Sequence, residues 1–298
     1  MKIVLLYNPR SGGSRREAEV GRLRAALAGD AHEIVLVRAG APEGPTLRDA
    51  LHDAGALVIV GGDGTVHHAL PDAARTGVPI YHWPTGTENL FARHFGTARS
   101  ETALRRSLAA ARVEAIDLGD VDGRLFALMC SVGPDAAVAH RLNRERKGSI
   151  SRATYLPHIC RELRERPPAL KVWVDGVQHV DGRRGMCVVA NAAEYGARLG
   201  PAINASMSDG LLDMVFLPAE TSLGSLWWLL RARLGRHLRD PRLIYRTGRD
   251  VVIANAGEAP AFVQCDGEAA ATLAPGSGAE SALQIVVRER AARVLTAG

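Results

Sequence analysis

The sequence predicts an α/β fold in two parts. The first is a doubly wound, mostly parallel sheet, and the second is an antiparallel, β-rich domain of sandwich type. Two observations carry this. Apolar strand-like runs alternate with helical stretches through the N-terminal part, the βαβα order of a parallel sheet. Near Ala115 the texture changes to short β-like runs with only two helical interruptions. A chain of 298 residues, 47% of them hydrophobic, has length and core enough for two domains.

The elements follow in order. The run Ile3-Val4-Leu5-Leu6 makes Lys2–Tyr7 a strand, and Ile34-Val35-Leu36-Val37 does the same for Glu33–Arg38. Between them Arg15–Ala28 reads as a helix, and Thr46–Ala54 as another. Leu57-Val58-Ile59-Val60 is a buried strand, followed by a helix over Val66–Arg75 and a strand near Val78–Tyr81. Helices over Glu88–Phe95 and Glu101–Ala111 close the first part. The β-like runs of the second part are Ala115–Leu118, Leu125–Cys130, Leu170–Val174, Gly185–Ala190, Leu211–Phe216, Val251–Ala254, Ala261–Gln264 and Leu283–Val287. Asp175-Gly176 is a hairpin signal between two of them. Helical insertions are expected around Ala136–Arg166 and Ser222–Arg236. The domains are read as 1–120 and 121–289.

Three strand ends carry the chemistry. Gly61-Gly62-Asp63-Gly64-Thr65 follows the buried strand and opens a helix. Glycines let backbone N–H groups approach a phosphate closely, and the helix N-terminus favours an anion. Asp63 among them suits a metal–nucleotide complex, with an Asx turn as the plainer role. Asn8-Pro9-Arg10-Ser11-Gly12-Gly13 follows the first strand, and Pro84-Thr85-Gly86-Thr87-Glu88-Asn89 follows the fourth. In a parallel sheet all three loops lie on one edge, where ligands bind. Asn8, Pro9, Ser11, Gly12, Gly61, Gly62, Gly64, Thr65, Thr87 and Asn89 are therefore read as nucleotide contacts. Helix capping is a compatible role for Thr87 and Asn89. The loops match neither the Walker A pattern nor the dinucleotide fingerprint.

Composition and charge narrow the class. Cys130, Cys160, Cys187 and Cys265 are widely spaced and read as reduced, mostly buried thiols. No signal peptide and no apolar run of bilayer length is visible, so a cytoplasmic protein is expected. The net charge is +5, carried mostly by arginine. One basic cluster is Arg141, Arg144, Arg146, Lys147 and Arg152. Another follows Leu226-Trp227-Trp228-Leu229-Leu230: Arg231, Arg233, Arg236, His237, Arg239 and Arg242. Tryptophans beside arginines suit an interfacial helix, and equally a helix packed on its own domain. No nucleic-acid module or aromatic platform is present, so nucleic acid is not an expected partner.

Asn8-Pro9-x-Ser11-Gly12, Gly61-Gly62-Asp63-Gly64-Thr65 and Gly86-Thr87-x-Asn89-x-Phe91-Ala92-Arg93 resemble the diacylglycerol kinase catalytic family. Ser208-Asp209-Gly210-Leu211-Leu212-Asp213 and Asp266-Gly267-Glu268 continue the resemblance over nearly the whole chain. The glycine motif also occurs in NAD kinases; the later elements favour the lipid kinases. The resemblance implies ATP and Mg²⁺ as cofactors and phosphoryl transfer to a lipid alcohol such as diacylglycerol, within phospholipid biosynthesis. It implies that Glu268 is the general base and that Asp266 orients the hydroxyl or binds metal. It further implies a structural Mg²⁺ held by the Asp209 carboxylate and the carbonyls of Ser206 and Leu211. The end of the chain, 290–298, would rejoin the first domain. Peripheral contact with the inner face of a membrane follows if the substrate is a lipid; homodimerisation stays open. Where the family commonly has Asn and Glu after an aliphatic residue, this chain has His67 and His68, and Leu90 stands where relatives carry Asp. An NAD-kinase-like enzyme and a non-catalytic sensor on the same fold are the alternatives.

Overall fold

The opening strand β1 (Lys2–Tyr7) lies between β2 (Glu33–Arg38) and β3 (Ala56–Gly61), and pairs with both in parallel. Both β1 and β3 are apolar along almost their whole length and buried, as strands covered on two faces must be. The structure is a computed structural model that describes residues 1–9, 13–40, 44–145, 165–276 and 281–296. It divides into two units: Met1–Ile116 with Arg290–Gly298, and the bulk of the chain between them.

In the first unit β4 (Ile80–Pro84) pairs in parallel with β3, and the end of β15 (Ala282–Leu295) pairs in parallel with β4 through Val294 and Ile80. The strand order is β2-β1-β3-β4-β15. The chain leaves β1 to one side and returns on the other, so the switch point lies between β1 and β3. Helices α1 (Gly13–Gly29), α2 (Leu47–Leu51), α3 (Asp63–Thr76), α4 (Leu90–His94) and α5 (Glu101–Ala110) connect the strands. Val20, Leu23 and Leu27 of α1 and Leu104 of α5 join Ile3, Leu5, Val58 and Tyr81 in one core. Thr46 and Ser100 cap α2 and α5 by accepting the N–H groups of Asp49 and Ala103.

The second unit is antiparallel in every pairing it makes among the described residues. Its elements are β5 (Val113–Val121), which enters from the first unit, β6 (Arg124–Phe126), β7 (Met129–Val132), α6 (Pro134–Glu145), β8 (Ala169–Val174), β9 (Val177–Ala190), β10 (Leu212–Pro218), α7 (Ser222–Arg233), β11 (Ile244–Gly248), β12 (Asp250–Asn255), β13 (Ala261–Cys265) and β14 (Glu268–Leu273). The strands run β14-β13-β7-β9-β8-β12-β15, with β10 between β9 and β11. Three Asp-Gly pairs turn its hairpins: Asp122-Gly123, Asp175-Gly176 and Asp266-Gly267. All six residues have positive φ, between 48° and 89°, as a type I′ turn requires.

Some expectations fail for visible reasons. The run Leu125–Cys130 is not one strand: it breaks into β6 and β7 because the Asp266 carboxylate takes the N–H groups of Ala127, Leu128 and Met129 (2.9, 2.8 and 3.1 Å). The helix expected from Glu88 starts at Leu90, because Asn89 is left-handed with φ 50°. Strands β11 and β14 were not expected: Ala-rich Glu268–Leu273 lacks the β-branched residues that mark a strand. The insertion expected to Arg166 is helical through Glu145. Its continuation, with Arg146, Lys147, Arg152 and Cys160, lies outside the described residues, as do Ser11 and Gly12 of the first loop.

Glu19 ties α1 to the sheet. Its buried carboxylate accepts Trp83 Nε1–H of β4 (2.9 Å) and Arg99 Nε–H (2.6 Å), with Arg16 at 3.4 Å. Burial alone would raise its pKa, but these partners hold it below the usual carboxylate value. Such a group stabilises the fold above its unfolded pKa, and that contribution is lost as pH falls through the lowered folded value. We expect Glu19→Gln to cost about 1–3 kcal/mol in urea unfolding at pH 7, and the gap to the parent to narrow below about pH 4. Equal unfolding midpoints at pH 7 would show that the tie contributes nothing.

Candidate functional site

Strand register brings the three glycine-bearing loops to one edge of the first unit. Tyr7 stands opposite Val60, so Asn8-Pro9 leaves the sheet beside Gly61-Gly62. Gly61 stands opposite Pro84, and Thr85 N–H donates to Gly61 O (2.8 Å), one step beyond the strands. The Gly62 and Gly86 backbones are in contact: a Cβ on Gly86 would lie 2.7 Å from the Gly62 Cα and 2.9 Å from Asn89 Oδ1. A Cβ on Gly61 would lie 2.5 Å from the Thr65 side chain. These glycines are required by packing before any ligand is considered. Gly62 is the N-cap of α3 and offers that helix end no side-chain hydrogen bond. Backbone donors at such an end are open to an anion.

Asp63 and Asn89 hold this edge in shape. Leu90 N–H donates to Asp63 Oδ2 and Phe91 N–H to Asp63 Oδ1, both at 3.0 Å, so the Asp63 carboxylate starts α4. Asn89 grips the Gly86 peptide from both ends: Gly86 N–H donates to Oδ1 (2.7 Å) and Nδ2–H donates to Gly86 O (2.8 Å). The sequence assigned Asp63 to a nucleotide-bound metal; the structure shows both its oxygens engaged with backbone. An Asn at 63 would set an amide N–H₂ against one of two N–H donors.

Below the loops His82 is fully buried. Its Nε2 is 3.0 Å from Gly61 O, so this nitrogen carries the hydrogen and donates to the carbonyl. Burial lowers the His82 pKa, against the opposing pull of Asp63. Its Nδ1 and the Thr85 Oγ1 are buried without a hydrogen-bond partner among the described residues. Gly86 and Thr87 are exposed at the same edge.

The second unit carries the other motifs. Asp266 and Gly267 are the two turn residues between β13 and β14, and Glu268, half-buried, is the first residue of β14. Beneath the turn runs a polar chain that sequence reasoning missed. Gly267 N–H donates to Gln264 Oε1 (2.7 Å), and Gln264 Nε2–H donates to Ser131 Oγ (2.7 Å). Ser131 and Tyr195 in turn donate to Asp135 Oδ2. The available signal was Gln264, a polar residue inside the apolar strand Ala261–Cys265.

The segment 206–211 is a turn before β10, whose first residues are Leu212 and Asp213. Leu211 N–H donates to Asp209 Oδ1 (3.0 Å), Ser208 N–H to Ser206 Oγ (3.3 Å), and Gly210 N–H to Asp117 Oδ2 (2.7 Å). Asp209 is exposed, and no cluster of three or more His, Cys, Asp or Glu suited to a metal occurs among the described residues. Asp213 accepts from Tyr245 O–H; burial raises the pKa of both.

Comparison with known proteins matches both units. The diacylglycerol kinase catalytic domain model matches residues 2–121, and the YegS C-terminal NAD kinase beta sandwich-like domain model matches residues 129–287. A diacylglycerol kinase of Mycobacterium tuberculosis is 28% identical over 237 residues, 74% of either chain. A Pseudomonas fluorescens protein named "Probable lipid kinase YegS-like" is 30% identical over 182 residues, 60% of either chain. The crystal structure of a diacylglycerol kinase from Bacillus anthracis superposes with a TM-score of 0.69 at 19% identity. It covers 99% of this chain and 96% of that one.

The glycine contact generates a paired test. Gly86→Ala forces two backbones apart and should destabilise the protein by about 1–3 kcal/mol. Gly21→Ala, in α1 with nothing within 4 Å of its Cβ, should stabilise it by about 0.5–1 kcal/mol. Thermal melts of both variants decide the matter, and equal shifts would mean that the loop has room.

Proposed function

Since the chain belongs to the diacylglycerol kinase catalytic family, a family of lipid kinases, we propose that it transfers the γ-phosphoryl group of ATP to a lipid hydroxyl. Diacylglycerol or a related lipid alcohol is the acceptor, and phospholipid biosynthesis the setting. The observation that supports this most is the sheet edge at Gly61–Asp63 and Gly86–Asn89. There two neighbouring strand ends and a helix N-terminus meet without intervening side chains, which is what a polyphosphate needs.

The residues fit the groups the family implies. The buried, unpartnered Thr85 Oγ1 and the uncapped α3 end suit phosphate oxygens. The exposed Asp209 carboxylate, with the Ser206 and Leu211 carbonyls, is a hard oxygen set that suits Mg²⁺. That Mg²⁺ is structural in this reading; when bound, ATP would supply the phosphoryl group, and a nucleotide-bound Mg²⁺ would offset its charge. Asn8, Pro9, Gly61, Gly62, Gly64, Thr65, Thr87 and Asn89 line or shape the nucleotide edge in this reading; Ser11 and Gly12 are nucleotide contacts by the family resemblance alone. Asp63 keeps α4 in place there. Glu268 takes the proton from the acceptor hydroxyl. Asp266 anchors the turn that carries Glu268, through its three backbone N–H partners. No helix among the described residues is long and apolar enough to cross a membrane. In this reading the lipid acceptor is met by peripheral contact, at the inner face of the membrane.

The test is incubation of the purified protein with γ-labelled ATP, Mg²⁺ and a mixed lipid extract. Label in an extracted lipid supports the reading; label in added NAD and not in lipid would sink it. Glu268→Gln keeps the side-chain shape and loses the base. We expect kcat to fall by roughly 10²–10⁴-fold, with the KM for ATP little changed. A raised KM with normal kcat would make Glu268 a binding residue instead.

A further inference from the structure

Helix α7 is apolar on two opposite faces. One belongs to the fold. Ser222, Ser225, Trp228 and Ala232 are buried, and Trp228, 2% exposed, donates its Nε1–H to Pro218 O at 2.6 Å. The outer face of a surface helix is ordinarily polar. Here Leu223, Leu226, Trp227 and Leu230 are 62, 44, 40 and 55% exposed, and Leu234 at the C-cap is 57% exposed. Steps of three and four along a helix put them on one stripe. The sequence left open whether the two tryptophans anchor or pack. The structure divides them: Trp228 packs and Trp227 faces out.

Charge says what would cover the stripe. No acidic residue stands between Glu220 and Asp240, whereas arginine occupies 231, 233, 236 and 239, and 242 follows. Arg233, Arg236, Arg239 and Arg242 are exposed. The guanidinium groups of Arg231 and Arg242 lie over the Trp227 ring at 4.6 and 5.3 Å, and both pair with Asp240 (3.7 and 2.8 Å). Asp240 is thus already engaged. A second copy of the chain seated on this face would meet a like array of arginines, with no acid between Glu220 and Asp240 to offset it. A bilayer surface fits both parts. Leucines and tryptophan enter the boundary between headgroups and acyl chains, and arginines meet lipid phosphates.

We infer that the outer stripe of α7 and the arginines after it form a docking surface for a bilayer containing anionic phospholipid. The inference rests on the lipid-kinase reading for its purpose, and its test needs no turnover. The purified full chain is cosedimented with vesicles of phosphatidylcholine alone and of phosphatidylcholine with phosphatidylglycerol. Binding should rise with phosphatidylglycerol and fall with added salt. Leu226→Ser/Trp227→Ser/Leu230→Ser should raise the half-saturating lipid concentration by about tenfold or more. Arg236→Gln/Arg239→Gln should weaken the dependence on phosphatidylglycerol and salt severalfold. That second variant changes exposed charges alone, so it decides the matter if the first melts early. Vesicle binding equal to the parent's in the arginine variant, or no binding by the parent, overturns the proposal. So does a stable dimer in sedimentation velocity that the apolar variant splits. Phosphorylation of detergent-dispersed lipid separates the two readings. Activity there with no vesicle binding sinks docking alone, and vesicle binding that both variants weaken, with no activity, upholds docking while the kinase reading falls.

Discussion

How closely two backbones approach governs the first unit. Neighbouring strands lie about 4.8 Å apart, and the loops leaving them normally diverge. Here the ladder runs one step past β3 and β4, through Thr85 N–H and Gly61 O, before the chains turn. The turning chains then meet at Gly62 and Gly86, where a Cβ on the latter has 2.7 Å of room. The rest of the edge adapts to that contact. Asn89 takes a left-handed conformation so that its amide can grip Gly86 at both ends, and α4 begins one residue later. The Gly61 carbonyl accepts from both Thr85 N–H and His82, whose burial keeps the imidazole neutral at ordinary pH. The Gly62–Gly86 contact is therefore shaped by uncharged groups, while the Asp63 carboxylate holds the start of α4 beside it.

Carboxylates do in both units what a strand ladder does elsewhere. Asp63 accepts two backbone N–H groups, Asp266 three and Asp175 two, those of Arg249 and Asp250. Each sits where a strand or helix begins or ends and donors would otherwise lack partners. An acid in a glycine-rich motif is thus under two demands. At 63 and 266 the shape of the loop requires the carboxylate whether or not it also meets a metal or substrate. This is why an acid-to-amide change at 63 is not silent for the fold.

The parallel strands and their loops were legible because buried β1 and β3 are nearly unbroken apolar runs followed by glycine-bearing loops. The Asp-Gly turn at 175 was legible for its turn chemistry. What could not be read was set by partners distant in sequence. The break between β6 and β7 depends on Asp266, some 138 residues away. The start of α4 depends on Asp63 and Gly86. Strand β14 is alanine-rich and becomes a strand only by pairing with β13. The tryptophan pair on α7 was ambiguous because a helix apolar on two faces gives no periodicity from which to choose the inner one.

The last constraint concerns the turn that carries Glu268. Between Val263 and Gln264 the pairing with β14 shifts register. A bulge beside a turn re-aims the side chains that follow it. Such a kink needs something to hold it, since one residue drops out of the ladder. Gln264 does this from within the sheet: buried, it bonds Gly267 N–H with one end of its amide and Ser131 with the other. Ser131 is backed in turn by Asp135 and Tyr195. A hydrophobic residue at 264 would fill the same space, leave the Gly267 N–H without its side-chain partner and leave the Ser131 hydroxyl with Asp135 alone, at about 1–3 kcal/mol. The polar residue in the apolar strand is explained by the turn it supports. The turn that carries Glu268 is accordingly held from beneath by a buried amide.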